Sequence, residues 1–258
     1  MKITLITGGS SGLGFEIARC YAREKNNILL VSKNEERLNA AKIKLEEEFK
    51  DVIVDVFPLD LTKTEDYPKL LEYTKSKDYF VNNLSNCAGF GDQCDFKDMD
   101  VNKQIQMTNV NCNALLYFTR VYLDDMLKEN EGHIINACSI AGFLPGPYMS
   151  TYHATKGYVL LLGEAISHEI RKTNVKLLTL CPGPFESNFV SLAGNDYTFK
   201  KIKPISAEAV AKYGYKKSIK GKTLAIVGAK NRATIFITRF FSRKFVTRSS
   251  SNSTKKNG

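Results

Sequence analysis

The chain has 258 residues, of which 43% are hydrophobic and 25% charged, and its formal net charge is +10. Its length allows a large buried core, and its composition excludes a fibre or a wholly disordered chain. No apolar run reaches the ~18 residues of a membrane-spanning helix, and we expect no secretory leader, so the sequence predicts a cytoplasmic protein.

Short runs rich in β-branched residues alternate along the chain with amphipathic segments of helix length. The strand candidates are "KITLIT", "NILLVS", "VIVDVF", "NNLSN", "HIINAC", "VKLLTL" and "TLAIV". The helix candidates are "GFEIARCYAREK", "EERLNAAKIKLEEEF", "EDYPKLLEYTKS", "IQMTNVNCNALLYFTRVYLDDMLKE" and "HATKGYVLLLGEAISHEIRK", with a further helix beginning after Ser206. This alternation predicts an α/β fold with a parallel sheet of about seven strands and helices on both faces.

The chain divides into one large domain and a basic end. We predict a single domain over 1–230, a basic amphipathic segment over 231–248 and a disordered tail over 249–258. Residues 209–258 hold thirteen of the 37 basic residues and no Asp or Glu, which leaves 24 basic and 27 acidic residues elsewhere. The positive charge therefore belongs to the C-terminal fifth.

The six cysteines are scattered without C-x-x-C spacing, and the three histidines lack metal-like spacing. The sequence therefore predicts free thiols and no metal site. Cys87, Cys138 and Cys181 flank the motifs described below. We interpret them as small buried hydrophobic side chains, with oxidative inhibition as the alternative.

A glycine-rich loop, "TGGSSGLG", follows the first strand candidate and precedes the first helix candidate. Glycines here permit a tight turn and a close approach of the backbone to a pyrophosphate, which the free N–H groups of the following helix bind. Such a loop alone can be merely a turn, but its position between strand and helix favours nucleotide binding. The candidate contacts are Gly8, Ser10, Ser11, Gly12, Leu13 and Gly14.

Tyr152 and Lys156 lie four residues apart in "YHATK", so on a helix they share one face. An unperturbed phenol has a pKa of ~10, and a neighbouring ammonium lowers it toward the range in which acid–base catalysis works. Such a pair alone is more often a surface contact. The motifs at other positions decide between the two readings.

The spacing T-G-x-x-x-G-x-G together with Y-x-x-x-K resembles the short-chain dehydrogenase/reductase family. Five further features match that family in order: Asp60-Leu61 after the third strand, "NCAG" (86–89) for N-N-A-G, Asn111 in a helix, Ser139 thirteen residues before Tyr152, and "CPGPFES" for P-G-x-x-x-T. Cys87 departs from the second Asn of N-N-A-G, and Ser187 stands where Thr is usual. The resemblance runs from about Lys2 to about Val227.

The resemblance implies a Rossmann-type doubly wound fold and hydride transfer between a nicotinamide cofactor and a carbonyl or secondary alcohol. Tyr152 would be the general acid or base, Lys156 would hold the nicotinamide ribose, and Asn111 would hold a water that links Lys156 to solvent. Ser139 and Tyr152 would contact the substrate. Beyond the glycine loop and the catalytic pair Tyr152 and Lys156, the implied cofactor contacts are Ser32, Lys33, Asp60, Leu61, Asn86, Ala88, Gly89, Pro182, Gly183, Phe185 and Ser187.

The end of the second strand decides between the two nicotinamide cofactors. Ser32 stands where family members that use NAD often carry Asp, and Lys33 matches the basic position of members that bind the 2′-phosphate. Glu35 and Glu36 follow an Asn34 cap and are predicted to face away. We therefore predict NADP(H) rather than NAD(H).

The basic segment "ATIFITRFFSRKFVTR" predicts one helix with Arg239 and Arg243 opposite an apolar face. That face consists of Phe236, Ile237, Phe240, Phe241 and Phe245. The helix either covers the substrate cleft, forms a subunit contact, or lies on an anionic membrane surface. Nothing beyond charge indicates nucleic-acid binding.

The sequence thus predicts an NADP(H)-dependent ketone reductase or hydroxy-dehydrogenase acting on a small-molecule carbonyl compound or secondary alcohol. It resembles family members that act on acyl-chain ketones, hydroxysteroids or unassigned carbonyls. The alternatives are a non-catalytic NADP(H)-binding regulator and a lipid ketoreductase anchored at a membrane surface by its basic end. A homodimer or homotetramer is expected from the family resemblance. The region 186–203, where family members diverge, does not identify a substrate.

Overall fold

The computed structural model describes residues 1–186 and 204–254. Within them a seven-stranded parallel sheet has the strand order β3-β2-β1-β4-β5-β6-β7. The strands are β1 Lys2–Thr7, β2 Ile28–Ser32, β3 Val54–Pro58, β4 Phe80–Asn86, β5 His133–Ala137, β6 Lys176–Cys181 and β7 Leu224–Ile226. The predicted doubly wound α/β fold is confirmed.

Helices connect the strands and cover both faces of the sheet. They are α1 Gly12–Arg23, α2 Glu35–Glu48, α3 Tyr67–Ser76, α4 Val101–Thr108, α5 Leu115–Glu129, α6 Ser150–Glu169, α7 Ala207–Ile219, α8 Ala229–Thr238 and α9 Arg243–Thr254. One turn of π-helix, Asn109–Ala114, joins α4 to α5. Among the described residues, no helix is both long and apolar enough to cross a bilayer.

Alternate residues of the central strands supply the two cores. Ile6 and Leu30 belong to the apolar cluster under α1, α2 and α7, whereas their neighbours Leu5 and Leu29 belong to the cluster under α3 and α5. Successive strand side chains point to opposite faces, so a sheet covered on both sides needs consecutive apolar residues. That requirement explains the nearly continuous apolar runs of β1 and β2.

The order in which strands are added to the sheet reverses between β1 and β4. These two strands are parallel neighbours, although β2 and β3 lie between them in the sequence. The carboxyl ends of these strands, Thr7 and Asn86, are paired in register. Ligands of open parallel sheets bind at such a reversal, beyond the carboxyl ends of the strands. The glycine loop begins there.

The C-terminal end differs from its prediction in two ways. The single predicted helix is broken between α8 and α9, because the Ser242 hydroxyl accepts a hydrogen bond from the Phe245 N–H and caps a new helix. The predicted disordered tail is helical as far as Thr254, whose hydroxyl donates to the Pro147 carbonyl at 2.7 Å. The Gln93 side-chain amide also donates to the Thr254 carbonyl, so α9 is fastened at its far end.

Candidate active site

A cleft of about 1290 Å³ lies at the carboxyl ends of the strands. Its walls are the glycine loop, the ends of β2, β4, β5 and β6, the start of α6, and the helices α8 and α9. Small-molecule sites usually have ~300–1,000 Å³, so this cleft has room for a dinucleotide together with a second ligand.

The glycine loop packs directly against the end of β4. Gly8 and Gly12 have φ values of +67° and +54°, which favour glycine. A Cβ on Gly8 would lie 2.9 Å from the Ala88 backbone, so a side chain is excluded there. The Thr7 hydroxyl accepts hydrogen bonds from the Cys87 N–H at 3.2 Å and the Ala88 N–H at 3.3 Å, which joins β1 to the "NCAG" turn.

The start of α1 is open toward the cleft. Ser11 is its N-cap in an extended conformation, its side chain makes no capping hydrogen bond, and the first turn carries no acidic residue. The first N–H groups of a helix lack partners inside the helix and favour an anion. Ser10, Ser11, Gly12, Leu13 and Gly14 all line the cleft, as the sequence predicted.

The end of β2 presents basic side chains to the cleft. Ser32 receives a hydrogen bond from the Ser10 hydroxyl at 3.1 Å, and Lys33 lines the cleft beside it. The Asn34 side chain caps α2 by accepting from the Arg37 N–H at 2.8 Å. Glu35 and Glu36 occupy the first turn, as predicted, and are outside the cleft lining.

Arg37 is a lining residue that the sequence prediction missed. It is the third residue after the Asn34 cap and so belongs to the first turn of α2. The cap itself was recognised in the sequence. The same cap marks the first turn of α2, which contains Arg37, as close to the end of β2.

The catalytic candidates of β5 and α6 come together in the cleft. Ser139, Tyr152 and Lys156 all line it. The Lys156 ammonium is 5.8 Å from the centre of the Tyr152 ring and donates a hydrogen bond of 2.8 Å to the Ala137 carbonyl. The Ser139 hydroxyl accepts from the Ala141 N–H at 3.1 Å, which holds its side chain at the start of a short 3-10 turn.

The ionisation of this group differs from the prediction. Burial raises the pKa of the Tyr152 phenol, and a hydrogen bond with Ser139 opposes that rise. Burial also lowers the pKa of the Lys156 ammonium. Burial therefore outweighs any lowering of the Tyr152 pKa by the Lys156 charge, and the net shift is opposite to the predicted one.

Asn111 lies in the π-helical turn, where both of its amide hydrogens and its side-chain oxygen have partners. Its amide donates to the Phe90 carbonyl at 3.0 Å and to the Thr155 hydroxyl at 3.1 Å, and its oxygen accepts from the Phe90 N–H at 3.1 Å. Both amide hydrogens are therefore occupied. Any water held by Asn111 would therefore have to donate to an oxygen of this residue.

Asn86 lies outside the cleft lining, unlike its prediction as a cofactor contact. Its buried amide donates to the Thr119 hydroxyl at 3.0 Å and to the Asn136 oxygen at 2.9 Å, so it joins β4 to β5 and α5. The register that pairs Asn86 with Asn136 directs the side chain into the sheet packing. Its role is to brace the sheet.

The other predicted contacts lie mostly where expected. The remaining ones that line the cleft are Gly8, Asp60, Leu61, Ala88, Gly89, Pro182, Gly183 and Phe185. Asp60 also accepts hydrogen bonds from the backbone and hydroxyl of Thr62, which fixes the turn after β3. Ser187 lies outside the described residues.

The sequence prediction also missed part of the wall beside Tyr152. Leu144, Met149 and His153 all line the cleft there. The His153 ring contacts the Leu144 carbonyl at 2.8 Å, and burial lowers its pKa. No local pattern marks these residues, because the loop before α6 folds back onto the helix only in three dimensions.

Comparison with known proteins agrees with this geometry. The short chain dehydrogenase family matches residues 2–197. An uncharacterised oxidoreductase of Staphylococcus aureus is 30% identical over 210 residues, which cover 81% of this chain and 89% of that protein. The chain therefore belongs to the short-chain dehydrogenase family.

Two solved structures show the same fold. A short-chain dehydrogenase from Sphingobium yanoikuyae in complex with NADPH has a TM-score of 0.82 and 24% identity, with 94% of this chain and 97% of that chain covered. A 7β-hydroxysteroid dehydrogenase has a TM-score of 0.85 and 22% identity, with 96% of each chain covered.

Proposed function

We propose that this protein is an NADP(H)-dependent oxidoreductase that interconverts a carbonyl compound and the corresponding secondary alcohol. The single observation that carries the proposal is the convergence of Ser139, Tyr152 and Lys156 in a cleft that continues to the glycine loop. The proteins that this chain resembles support the same reaction class, since one is an oxidoreductase and another a hydroxysteroid dehydrogenase.

The residues present fit a nicotinamide dinucleotide. The backbone cradle at Gly8 excludes any side chain, and the uncapped start of α1 suits a pyrophosphate. Asp60, Leu61 and Ala88 would hold the adenosine side, and Pro182, Gly183 and Phe185 would close over the nicotinamide. When bound, the reduced nicotinamide supplies a hydride to the carbonyl carbon.

The chain's own residues would handle the proton. Because burial raises the pKa of Tyr152, its phenol keeps a proton at neutral pH and can donate it to the carbonyl oxygen. The Ser139 hydroxyl would hydrogen-bond the same oxygen as negative charge develops on it. The Lys156 charge would stabilise the phenolate that remains. In the reverse direction the Tyr152 phenolate is the base.

The preference for NADP(H) is supported by Lys33 and Arg37, which both line the cleft beside Ser32. Two cations suit a 2′-phosphate, and Ser32 does not repel it. Paired kinetics with NADPH and NADH test this assignment. We expect Lys33→Ala and Arg37→Ala each to raise the KM for NADPH about 10- to 100-fold, as loss of a charged hydrogen bond predicts, with little change for NADH. Equal use of NADH by the unaltered protein would refute the preference.

A broad panel of ketones, followed at the NADPH absorbance, tests the reaction itself. Turnover by the unaltered protein supports the oxidoreductase. Binding of NADPH without turnover of any ketone would instead favour the non-catalytic regulator.

Exposed apolar residues on α5 and α6 support a homodimer or homotetramer. Leu116 is 40% exposed, Tyr158 39% and Leu161 69%. Light scattering of the unaltered protein and of Leu161→Glu tests this proposal, and a monomer in both cases would contradict it. We also propose a cytoplasmic location, which fractionation of cells would test.

A further inference from the structure

The C-terminal helix pair, α8 and α9, carries an exposed apolar patch. Its large side chains and their exposed fractions are Phe236 58%, Ile237 51%, Phe240 74%, Phe241 48% and Phe245 53%. By contrast, Ile235 is the buried residue of α8. Single exposed apolar residues are ordinary, but five such residues within positions 236–245 indicate a binding surface.

The rings of the patch form two pairs, one on each side of the break between the helices. The centres of the Phe236 and Phe240 rings are 5.5 Å apart, and those of Phe241 and Phe245 are 4.7 Å apart. The hydrogen bonds of Thr254 to Pro147 and Gln93 fasten the far end of the pair. The patch is therefore preformed on the folded chain.

Basic side chains surround this patch. Arg239, Arg243 and Lys244 are exposed at the break, and the ion pairs of residues 1–186 and 204–254 involve none of them. No acidic residue occurs anywhere from 209 to 258, whereas thirteen basic residues do. A partner for this surface must therefore be apolar where the rings meet it and negatively charged around them.

An anionic lipid bilayer has both properties, and we propose that the C-terminal helix pair docks on one. Amphipathic helices with aromatic residues on one side and Lys or Arg on the other lie in the interfacial region of a bilayer. Each basic residue near an anionic surface strengthens binding roughly fivefold. Lys244, which interrupts the apolar side, reaches the headgroups by extending its long side chain.

The docking surface is continuous with the cleft. Ile237, Phe241 and Phe245 belong to the exposed patch and also line the cleft that contains Tyr152. A bilayer against the patch therefore covers one side of the cleft mouth. If the proposed function holds, a lipophilic carbonyl compound dissolved in the bilayer reaches Tyr152 along apolar surface. The docking itself does not depend on catalysis.

Flotation of the full chain with lipid vesicles tests the docking. The two vesicle types are phosphatidylcholine alone and phosphatidylcholine mixed with phosphatidylserine. The variant Phe236→Ser/Phe240→Ser removes two rings that do not line the cleft, and Arg239→Gln/Arg243→Gln removes two charges. Phe96→Ser is the matched control, since Phe96 is 73% exposed but lies outside the helix pair.

We expect the unaltered chain and Phe96→Ser to float with the mixed vesicles and to be released by salt. Binding should fall about 100-fold in the double Phe variant, at about tenfold for each buried ring, and about 25-fold in the double Arg variant, at about fivefold for each charge. NADPH binding, followed by fluorescence, should stay unchanged in every variant, which shows that each is folded and separates this test from that of the proposed reaction.

Three results would overturn the proposal. The first is no binding of the unaltered chain to either vesicle type, or equal binding to both. The second is unchanged flotation of the double Phe variant. The third is that the molar mass of that variant differs from that of the unaltered chain in light scattering, while no vesicle binding occurs. That result would make the patch a contact between copies of this chain.

Discussion

Gly89 occupies a position where the structure leaves too little room for a side chain, and Gly89→Ala tests how tightly the site is built. The added Cβ would lie 3.0 Å from the Asn111 side-chain oxygen and 3.5 Å from the Lys156 nitrogen. The Lys156 distance is an ordinary contact, but the Asn111 distance requires movement of a few tenths of an ångström. Asn111 cannot move freely, because Phe90 and Thr155 hold it through three hydrogen bonds.

The cost follows from those hydrogen bonds. Weakening two or three of them, at about 0.5–1.5 kcal/mol each, should lower the free energy of unfolding by about 1–3 kcal/mol. Displacement of Asn111 should also lower kcat, by up to ~100-fold if its shift approaches 1 Å. Urea unfolding measures the first effect, and NADPH oxidation with a ketone substrate measures the second.

Gly157→Ala is the matched control for Gly89→Ala. Gly157 lies in α6 beside Lys156, and a Cβ there would meet the Gly142 carbonyl at an ordinary 3.6 Å. Alanine in a helix interior is better than glycine by about 0.5–1 kcal/mol, so this variant should be as stable as the parent or more so. If Gly89→Ala matches Gly157→Ala in both stability and kcat, the tight packing around Asn111 is not what organises the site.

Three further outcomes are expected. Because burial raises the pKa of Tyr152, its phenolate forms only at alkaline pH. Alcohol oxidation should therefore accelerate as pH rises above neutrality, whereas ketone reduction should not. A flat pH–rate profile for oxidation would contradict this expectation. Asn86→Ala should lower the free energy of unfolding by about 1–3 kcal/mol, since Thr119 and Asn136 lose their hydrogen-bond partner. The Kd for NADPH, measured by fluorescence titration, should stay nearly unchanged. A large loss of affinity would instead make Asn86 a cofactor contact. Ser242→Ala should cost about 1 kcal/mol of α9 stability and speed trypsin cleavage after Arg243, whereas an unchanged cleavage rate would mean that the cap does not hold the helix.

The sheet and its order of elements could be predicted from the sequence, because a strand buried on both faces consists almost entirely of apolar or β-branched residues. Ile3 to Ile6 and Ile28 to Val31 are apolar or β-branched throughout, as a covered parallel strand requires. The Asn34 cap could be predicted as well, since its pattern is local.

The predictions that differ from the structure concern features that depend on contacts beyond the local sequence pattern. The break before α9 depends on Ser242, which caps a new helix. The helical spacing of the apolar residues around it predicts one continuous helix and does not show that cap. The direction of the Asn86 side chain depends on Asn136, fifty residues later. The Tyr152 pKa depends on how closely the surrounding chain buries the phenol, which spacing within α6 does not encode.

Turnover by Tyr152→Phe is the most direct test of the catalytic account. The variant removes one hydroxyl oxygen and keeps the ring that packs in the cleft. With a ketone that the unaltered protein reduces, we predict a loss of kcat of at least ~100-fold, as removal of a general acid implies, with the Kd for NADPH preserved. Reduction by Tyr152→Phe at the rate of the unaltered protein would contradict the role assigned to this phenol.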